Sequence, residues 1–90
     1  MLKIDNTRQF RKDLKKYLNQ KTVIKELNEV INRLAKNELL DKRHRDHQLI
    51  GDWINHRECH VKNDVLLIYR IDESNETLVL ERLLSHSELL

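Results

Sequence analysis

The chain has 90 residues, of which 39% are hydrophobic and 36% are charged, and its formal net charge is +2. This length holds one domain, residues 1–90, and the apolar content is too high for a disordered chain. A single cysteine excludes an internal disulfide framework. Because we recognise no signal peptide and no apolar run long enough to span a bilayer, we expect a cytoplasmic protein without a membrane partner.

The N-terminal half predicts a short strand followed by two helices. The segment LKID is extended, Asn6 or Thr7 can cap the first helix, and Thr22 can cap the second after the break NQKT. Two helices with a short connector are typical of an antiparallel helical hairpin. The apolar residues at helical spacing are Phe10, Leu14, Tyr17 and Leu18, then Val23, Leu27, Val30, Ile31 and Leu34.

The C-terminal half predicts a loop and then three strands. Residues 37–52 have no clean period, whereas a period of two begins at Trp53 and ends at the turn KND. VLLIYRI and TLVLERLL predict two further strands around the turn DESNE, and Ser85 with Glu88 has the spacing of a capping box. We therefore predict an α+β fold: an N-terminal strand, the helical hairpin, a three-stranded antiparallel meander that completes one sheet, and a short C-terminal turn.

Alternation divides the first strand of the meander into two faces. Glu58 and His60 share one face, which we assign to an open cleft. Arg57 and Cys59 share the other, which packs on the helices, so Cys59 is expected in the core and Arg57 is a weak functional candidate.

Charge and histidine are both distributed unevenly. Residues 1–70 carry a net charge of +6 and residues 71–90 carry −4, and a basic body favours an anionic partner, although a solvated surface explains the charge alone more simply. His44, His47, His56 and His60 lie close together in the chain, and His86 is near its end. For any single histidine a structural role is the simplest explanation, and we keep that explanation for His44.

Two kinds of chemistry could use these histidines. A zinc site is disfavoured, because no C-x-x-C or H-x-x-x-H pair exists and the adjacent Cys59 and His60 point to opposite faces of a strand. General acid–base catalysis is favoured, because imidazole titrates near neutral pH. Histidines beside arginine and lysine suit RNA cleavage, in which a ribose 2′-OH attacks the adjacent phosphorus and a cation stabilises the added charge.

Three segments carry a resemblance to a known family. RDHQLIGDW, RECHVKNDVLLIYRI and RLLSHSELL, in this order, resemble the YafQ-type toxins of the RelE/ParE superfamily, and the resemblance extends over the whole chain. It implies the toxin of a type II toxin–antitoxin pair, a RelE-like sheet, and metal-independent, cofactor-free cleavage of mRNA in the ribosomal A site. It also implies a cognate acidic antitoxin, through which alone the toxin would meet operator DNA.

The resemblance also implies a set of site residues. The catalytic candidates are His47, His60, His86 and Arg82, supported by Glu58 and Asp64, and the weaker candidates for RNA contact are Lys42, Arg43, Arg45 and Leu90. We expect His60 or His47 to be the base, His86 to be the acid and Arg82 to stabilise the phosphate. The chain departs from its relatives at Leu84, where glycine is frequent, at Leu90, where phenylalanine is usual, and at His56, where an aromatic residue is common.

Two alternatives belong to other functional classes. ParE-like chains of the same superfamily bind DNA gyrase without this histidine set, and a basic RNA-binding domain would bind without turnover. The histidines at positions 47, 60 and 86 distinguish a nuclease from both, because a binding protein has no need of them.

Overall fold

The structure, a computed structural model, describes residues 1–89 and consists of two longer helices, a short terminal helix and a five-stranded sheet. The elements in chain order are Lys3–Asn6 (β1), Arg8–Lys15 (α1), Lys21–Ala35 (α2), His47–Gln48 (β2), Arg57–Lys62 (β3), Val65–Asp72 (β4), Thr77–Leu84 (β5) and His86–Leu89 (α3). The weak RNA-contact candidate Leu90 lies outside the described residues.

The sheet has the strand order β1-β5-β4-β3-β2. β1 pairs in parallel with β5, and the other three pairings are antiparallel. The predicted α+β class is therefore confirmed, with β3, β4 and β5 as the meander and β1 added at its edge. The additional edge strand β2 lies within the segment that we predicted to be a loop, because two residues are too few to establish a period.

The two longer helices begin for different reasons. Thr7 caps α1, since its hydroxyl oxygen accepts the Phe10 N–H at 3.0 Å, as predicted. The prediction for Thr22 is wrong: α2 begins at Lys21, and Gln20 precedes it without a capping hydrogen bond from its side chain. Within residues 1–89, none of the helices is both long enough and apolar enough to cross a bilayer.

The first strand of the meander begins at Arg57 and not at Trp53. Residues 51–53 form a single 3-10 turn, and both Gly51 and Asn55 have a φ of 70°. The left-handed conformation of Asn55 interrupts the extended backbone that the alternating pattern predicted from Trp53 onward.

Both faces of the sheet are buried at its centre. On the side of the helices, Cys59, Leu67 and Tyr69 join the apolar residues of α1 and α2 in one core, as predicted for Cys59. Leu66 and Ile68 on the opposite face are also fully buried, so this face is less open than we predicted. The His56 Nε2, at the end of the loop before β3, lies 3.4 Å from Glu81 Oε2 on β5.

Candidate active site

One row of paired residues crosses four strands and contains three of the predicted site residues. His47 on β2 pairs with Glu58 on β3, Glu58 pairs with Ile68 on β4, and Ile68 pairs with Arg82 on β5. Because neighbouring strands lie about 4.8 Å apart, the row extends over about 14 Å. The residues of this row come from separate parts of the sequence, and strand register aligns them.

His60 and His86 lie together beside this row. His60 pairs with Leu66, which pairs with Leu84, and His86 begins α3 directly after β5. The centroids of the two imidazole rings are 5.3 Å apart. An open pocket of about 420 Å³ lies beside them, and its lining residues are Arg43, His44, Arg45, His60, Val61, Lys62, Asn63 and His86.

Burial and charge both act on the His60 ring. Partial burial lowers its pKa below the ordinary value of 6.5, because the charged form loses solvation. The negative charge of Glu58 opposes this effect, and the positive charges of His86, Arg45 and His47 add to it. His60 is therefore held toward its neutral form, in which one ring nitrogen can accept a proton.

His47 has an oxygen acceptor facing each of its ring nitrogens. Nδ1 lies 2.8 Å from the carbonyl oxygen of Arg45, and Nε2 lies 3.6 Å from Oε1 of Glu58, a carboxylate that is only 5% exposed. The two contacts fix the orientation of the His47 ring on β2, across from Glu58 and on the same face of the sheet as His60.

Hydrogen bonds and one salt bridge hold the short helix α3 in place. Glu88 Oε1 accepts the Ser85 N–H at 3.1 Å, and the Ser85 hydroxyl accepts the Glu88 N–H at 3.4 Å, which confirms the predicted capping box. Lys16 binds Glu88 at 3.0 Å, and this bond, together with those from Ser85, lowers the pKa of Glu88 to about 2. Asp64 accepts the His86 N–H at 3.1 Å, so it orients the first turn of α3.

Arg82 contacts a residue that the sequence did not single out. Its Nε and Nη2 donate to the carboxylate of Asp13 at 2.8 and 3.2 Å, and no hydrogen bond joins Arg82 to any of the three histidines among the described residues. Asp13 also accepts the Leu83 N–H at 3.0 Å. β1 stops pairing at Leu80, so this carboxylate takes the place of a strand partner at the exposed edge of β5. Arg70, on the neighbouring strand β4, binds Glu81 at 2.8 Å.

The side chains near the 3-10 turn Lys42–His44 differ in whether they line the pocket and in whether they already bind another residue. Arg43 lines the pocket but binds Glu26 at 2.6 Å, and Lys42 is not among the lining residues. Arg45 lines the pocket, as does Lys62 at the end of β3. Sequence reasoning missed this cation because it assigned Lys62 to the turn KND. His44 is buried and its Nδ1 lies 2.6 Å from the carbonyl oxygen of His60, so it supports β3.

The side chains of residue types that can bind a metal ion are dispersed among residues 1–89. Within residues 1–89, no group of three or more histidine, cysteine, aspartate or glutamate side chains is arranged to hold a metal ion. Cys59 is a free, buried thiol whose pKa burial raises, which is typical of a structural cysteine.

Comparison with known proteins identifies several relatives. A Haemophilus influenzae protein named as a candidate YafQ toxin is 36% identical over 61 residues, which cover 66% of this chain and 56% of that protein. A copper-bound mutant toxin from Helicobacter pylori is 46% identical, with full coverage of both chains and a TM-score of 0.90. YafQ in the Escherichia coli DinJ–YafQ complex is 28% identical, with coverage of 100% of this chain and 99% of that one and a TM-score of 0.85.

The family model described as "Bacterial toxin of type II toxin-antitoxin system, YafQ" matches residues 2–90. That match includes every element of the sheet and all five histidines. The chain therefore belongs to the YafQ family of type II toxins.

Proposed function

We propose that this toxin is a metal-independent endoribonuclease that cleaves mRNA, with the ribosomal A site as its place of action. The observation that carries the proposal is the pair of imidazole rings of His60 and His86, 5.3 Å apart beside a basic open pocket. Two imidazoles can supply both proton transfers of the reaction without a metal ion.

In the proposed reaction, the neutral His60 takes the proton of the ribose 2′-OH while that oxygen attacks the adjacent phosphorus. His86 donates a proton to the departing 5′-oxygen as its bond to phosphorus breaks. The products are a 2′,3′-cyclic phosphate and a 5′-hydroxyl, and both histidines end in the opposite protonation state from the one in which they began.

The other site residues have electrostatic and orienting roles in this proposal. His47, in contact with Glu58, has an orienting role next to the base, and Asp64 orients His86. Arg45 and Lys62 contact phosphate from the pocket wall. Arg82 stabilises the added charge through the guanidinium edge that Asp13 leaves free, since only its Nε and Nη2 are bound there.

We propose that a cognate antitoxin of acidic character neutralises the toxin by covering the histidines or by displacing residues around them. The basic charge of residues 1–70 supports this, as does the Escherichia coli relative, which was solved with DinJ. Operator DNA is then bound through the complex. Amide hydrogen exchange of the complex tests this occlusion, and protection confined to the far side of α1 and α2 would contradict it.

The experiment that tests the nuclease function is incubation of the purified toxin with RNA alone and with translating ribosomes. The proposal expects fragments that end in a 2′,3′-cyclic phosphate in at least the second reaction. A preparation of the His60→Ala variant, purified in parallel, is the control for contaminating nucleases. Intact RNA in both reactions, with a folded toxin, would contradict the proposal.

A further inference from the structure

We infer that Asp46 is a positioning residue that directs His47 into the site from the opposite face of the sheet, an inference that rests on the proposed function. Asp46 Oδ1 accepts two hydrogen bonds, one from the Tyr69 hydroxyl at 2.7 Å and one from Arg57 Nε at 3.2 Å. Tyr69 is only 1% exposed and belongs to the core beneath the helices. Asp46 is therefore attached to the hydrophobic core.

The position of Asp46 determines the direction of His47. Successive side chains along an extended backbone point to opposite faces. Because the Asp46 side chain reaches Tyr69 on the helix-facing side, the next side chain, His47, is directed to the other side, where it pairs with Glu58. The strand register and the 3.6 Å contact between His47 and Glu58 agree with this alternation.

The backbone around His47 needs such an anchor. β2 has only two residues, and it pairs with β3 through His47 and Gln48 alone. Arg45, two residues before His47, has a φ of 46°, a left-handed conformation that residues other than glycine rarely adopt. This conformation leaves the Arg45 carbonyl oxygen 2.8 Å from His47 Nδ1, so a relaxed turn would lose the contact that orients the ring.

The two hydrogen bonds to Asp46 do not contribute equally to holding this residue in place. The Arg57 side chain is 40% exposed, and a salt bridge that is this exposed to solvent contributes little to stability. The Tyr69 hydroxyl is in the core, where a lost hydrogen-bond partner is costly. The bond between Tyr69 and Asp46 is therefore the one that holds the turn and, through it, the His47 ring.

Tyr69→Phe tests the inference, because it removes one hydroxyl and keeps the ring that fills the core. We expect single-turnover cleavage to slow by about tenfold or more, the scale of a small misplacement of a reacting group. In the His47→Ala background the same substitution should cost nothing further. We also expect the nitrogen NMR signals of the His47 ring to shift and broaden as the ring loses its fixed contact with Arg45.

Tyr17→Phe is the matched control. It removes the hydroxyl of the other tyrosine, which makes no hydrogen bond with any residue in the range 1–89, and it should leave the His47 signals in place. If Tyr69→Phe does not fold, Asp46→Ala removes the same bond at a partly exposed position and should give the same effects.

Two results would overturn the inference: unchanged His47 ring signals in Tyr69→Phe, or an equal loss of rate in the parent and in the His47→Ala background. A different result concerns the proposed function alone. If His47→Ala cleaves RNA as fast as the parent, the catalytic role of His47 is wrong, and the ring signals still decide whether Asp46 positions it.

Discussion

Arg82 and Asp13, which are 69 residues apart in the chain, form a two-pronged ion pair between β5 and α1, with donor–acceptor distances of 2.8 and 3.2 Å. The Asp13 side chain is almost fully buried, whereas that of Arg82 is 27% exposed. The hydrogen bond to Asp13 raises the pKa of Arg82 above its ordinary value, so the guanidinium is a permanent cation. Arg82 thus has a structural role in addition to its proposed contact with phosphate.

Arg82→Ala should therefore lower stability as well as cleavage. It leaves the buried Asp13 carboxylate without a counter-charge, and we expect a loss of about 2–3 kcal/mol, below the usual cost of breaking a fully buried pair because Arg82 is partly solvated. Urea unfolding measures this loss. The double variant Asp13→Asn/Arg82→Met should recover much of it, because no unpaired charge remains and the amide oxygen can still accept the Leu83 N–H. An Arg82→Ala protein that unfolds at the same urea concentration as the parent would contradict the assignment.

The lowered pKa of His60 predicts the pH dependence of cleavage. In the proposed mechanism the rate depends on unprotonated His60, so the acid limb of the pH–rate profile should have a midpoint below pH 6.5. The negative charge of Glu58 raises the pKa of His60, and Glu58→Gln should move the acid limb to still lower pH. Single-turnover rates across pH measure both values.

Glu81→Gln is the control for this titration, since Glu81 is a carboxylate on the same face that binds Arg70 and does not act on His60. It should leave the acid limb in place. A limb that moves to higher pH in Glu58→Gln would show that the assignment of His60 as the base is wrong.

His44→Ala should impair the protein, because the structure gives this buried residue the structural role that the sequence suggested. The buried ring supports the His60 carbonyl oxygen at 2.6 Å, and its loss should cost about 1–3 kcal/mol of stability and slow cleavage. His44→Asn, whose amide can donate from nearly the same position as Nδ1, should recover part of both. Equal behaviour of the alanine and asparagine variants in unfolding and cleavage assays would count against the bond.

The sequence predicted the elements that have a clear period and missed those that depend on contacts between distant residues. The meander and the core position of Cys59 follow from alternation, and the capping box of Ser85 and Glu88 follows from local spacing. β2 has only two residues, and no pattern can reveal so short a strand.

The residues that support the site were hidden for a different reason. Asp13 resembles an ordinary surface aspartate of an amphipathic helix, and only the tertiary fold brings it to Arg82. Asp46 belongs to the segment RDHQLIGDW, but its bond to Tyr69 joins two segments whose contact a sequence does not display. Site candidates could be named from the family resemblance, whereas their orienting partners needed the structure.

Cleavage should continue when divalent cations are removed. The proposed mechanism uses histidines for both proton transfers and needs no metal ion. A relative from Helicobacter pylori is copper-bound in its crystal structure, so removal of metal ions is an informative test. Single-turnover cleavage in EDTA, with the RNA or ribosomes shown to be intact in that buffer, should match the rate without EDTA. Activity lost in EDTA and restored by one particular ion would contradict the metal-free mechanism.

The most direct test of the central claim is the single-turnover cleavage rate of folded His47→Ala, His60→Ala and His86→Ala proteins. His60→Ala and His86→Ala should each lose about 10² to 10⁴ in rate, the usual range for general acid–base groups. His47→Ala, which removes an orienting group, should lose about 10²-fold. The His60→Ala/His86→Ala double variant should lose less than the product of the two single losses, because both groups act in one step. If all three variants fold, cleave RNA and arrest growth like the parent, the nuclease mechanism is wrong, and binding to gyrase becomes the leading explanation of toxicity.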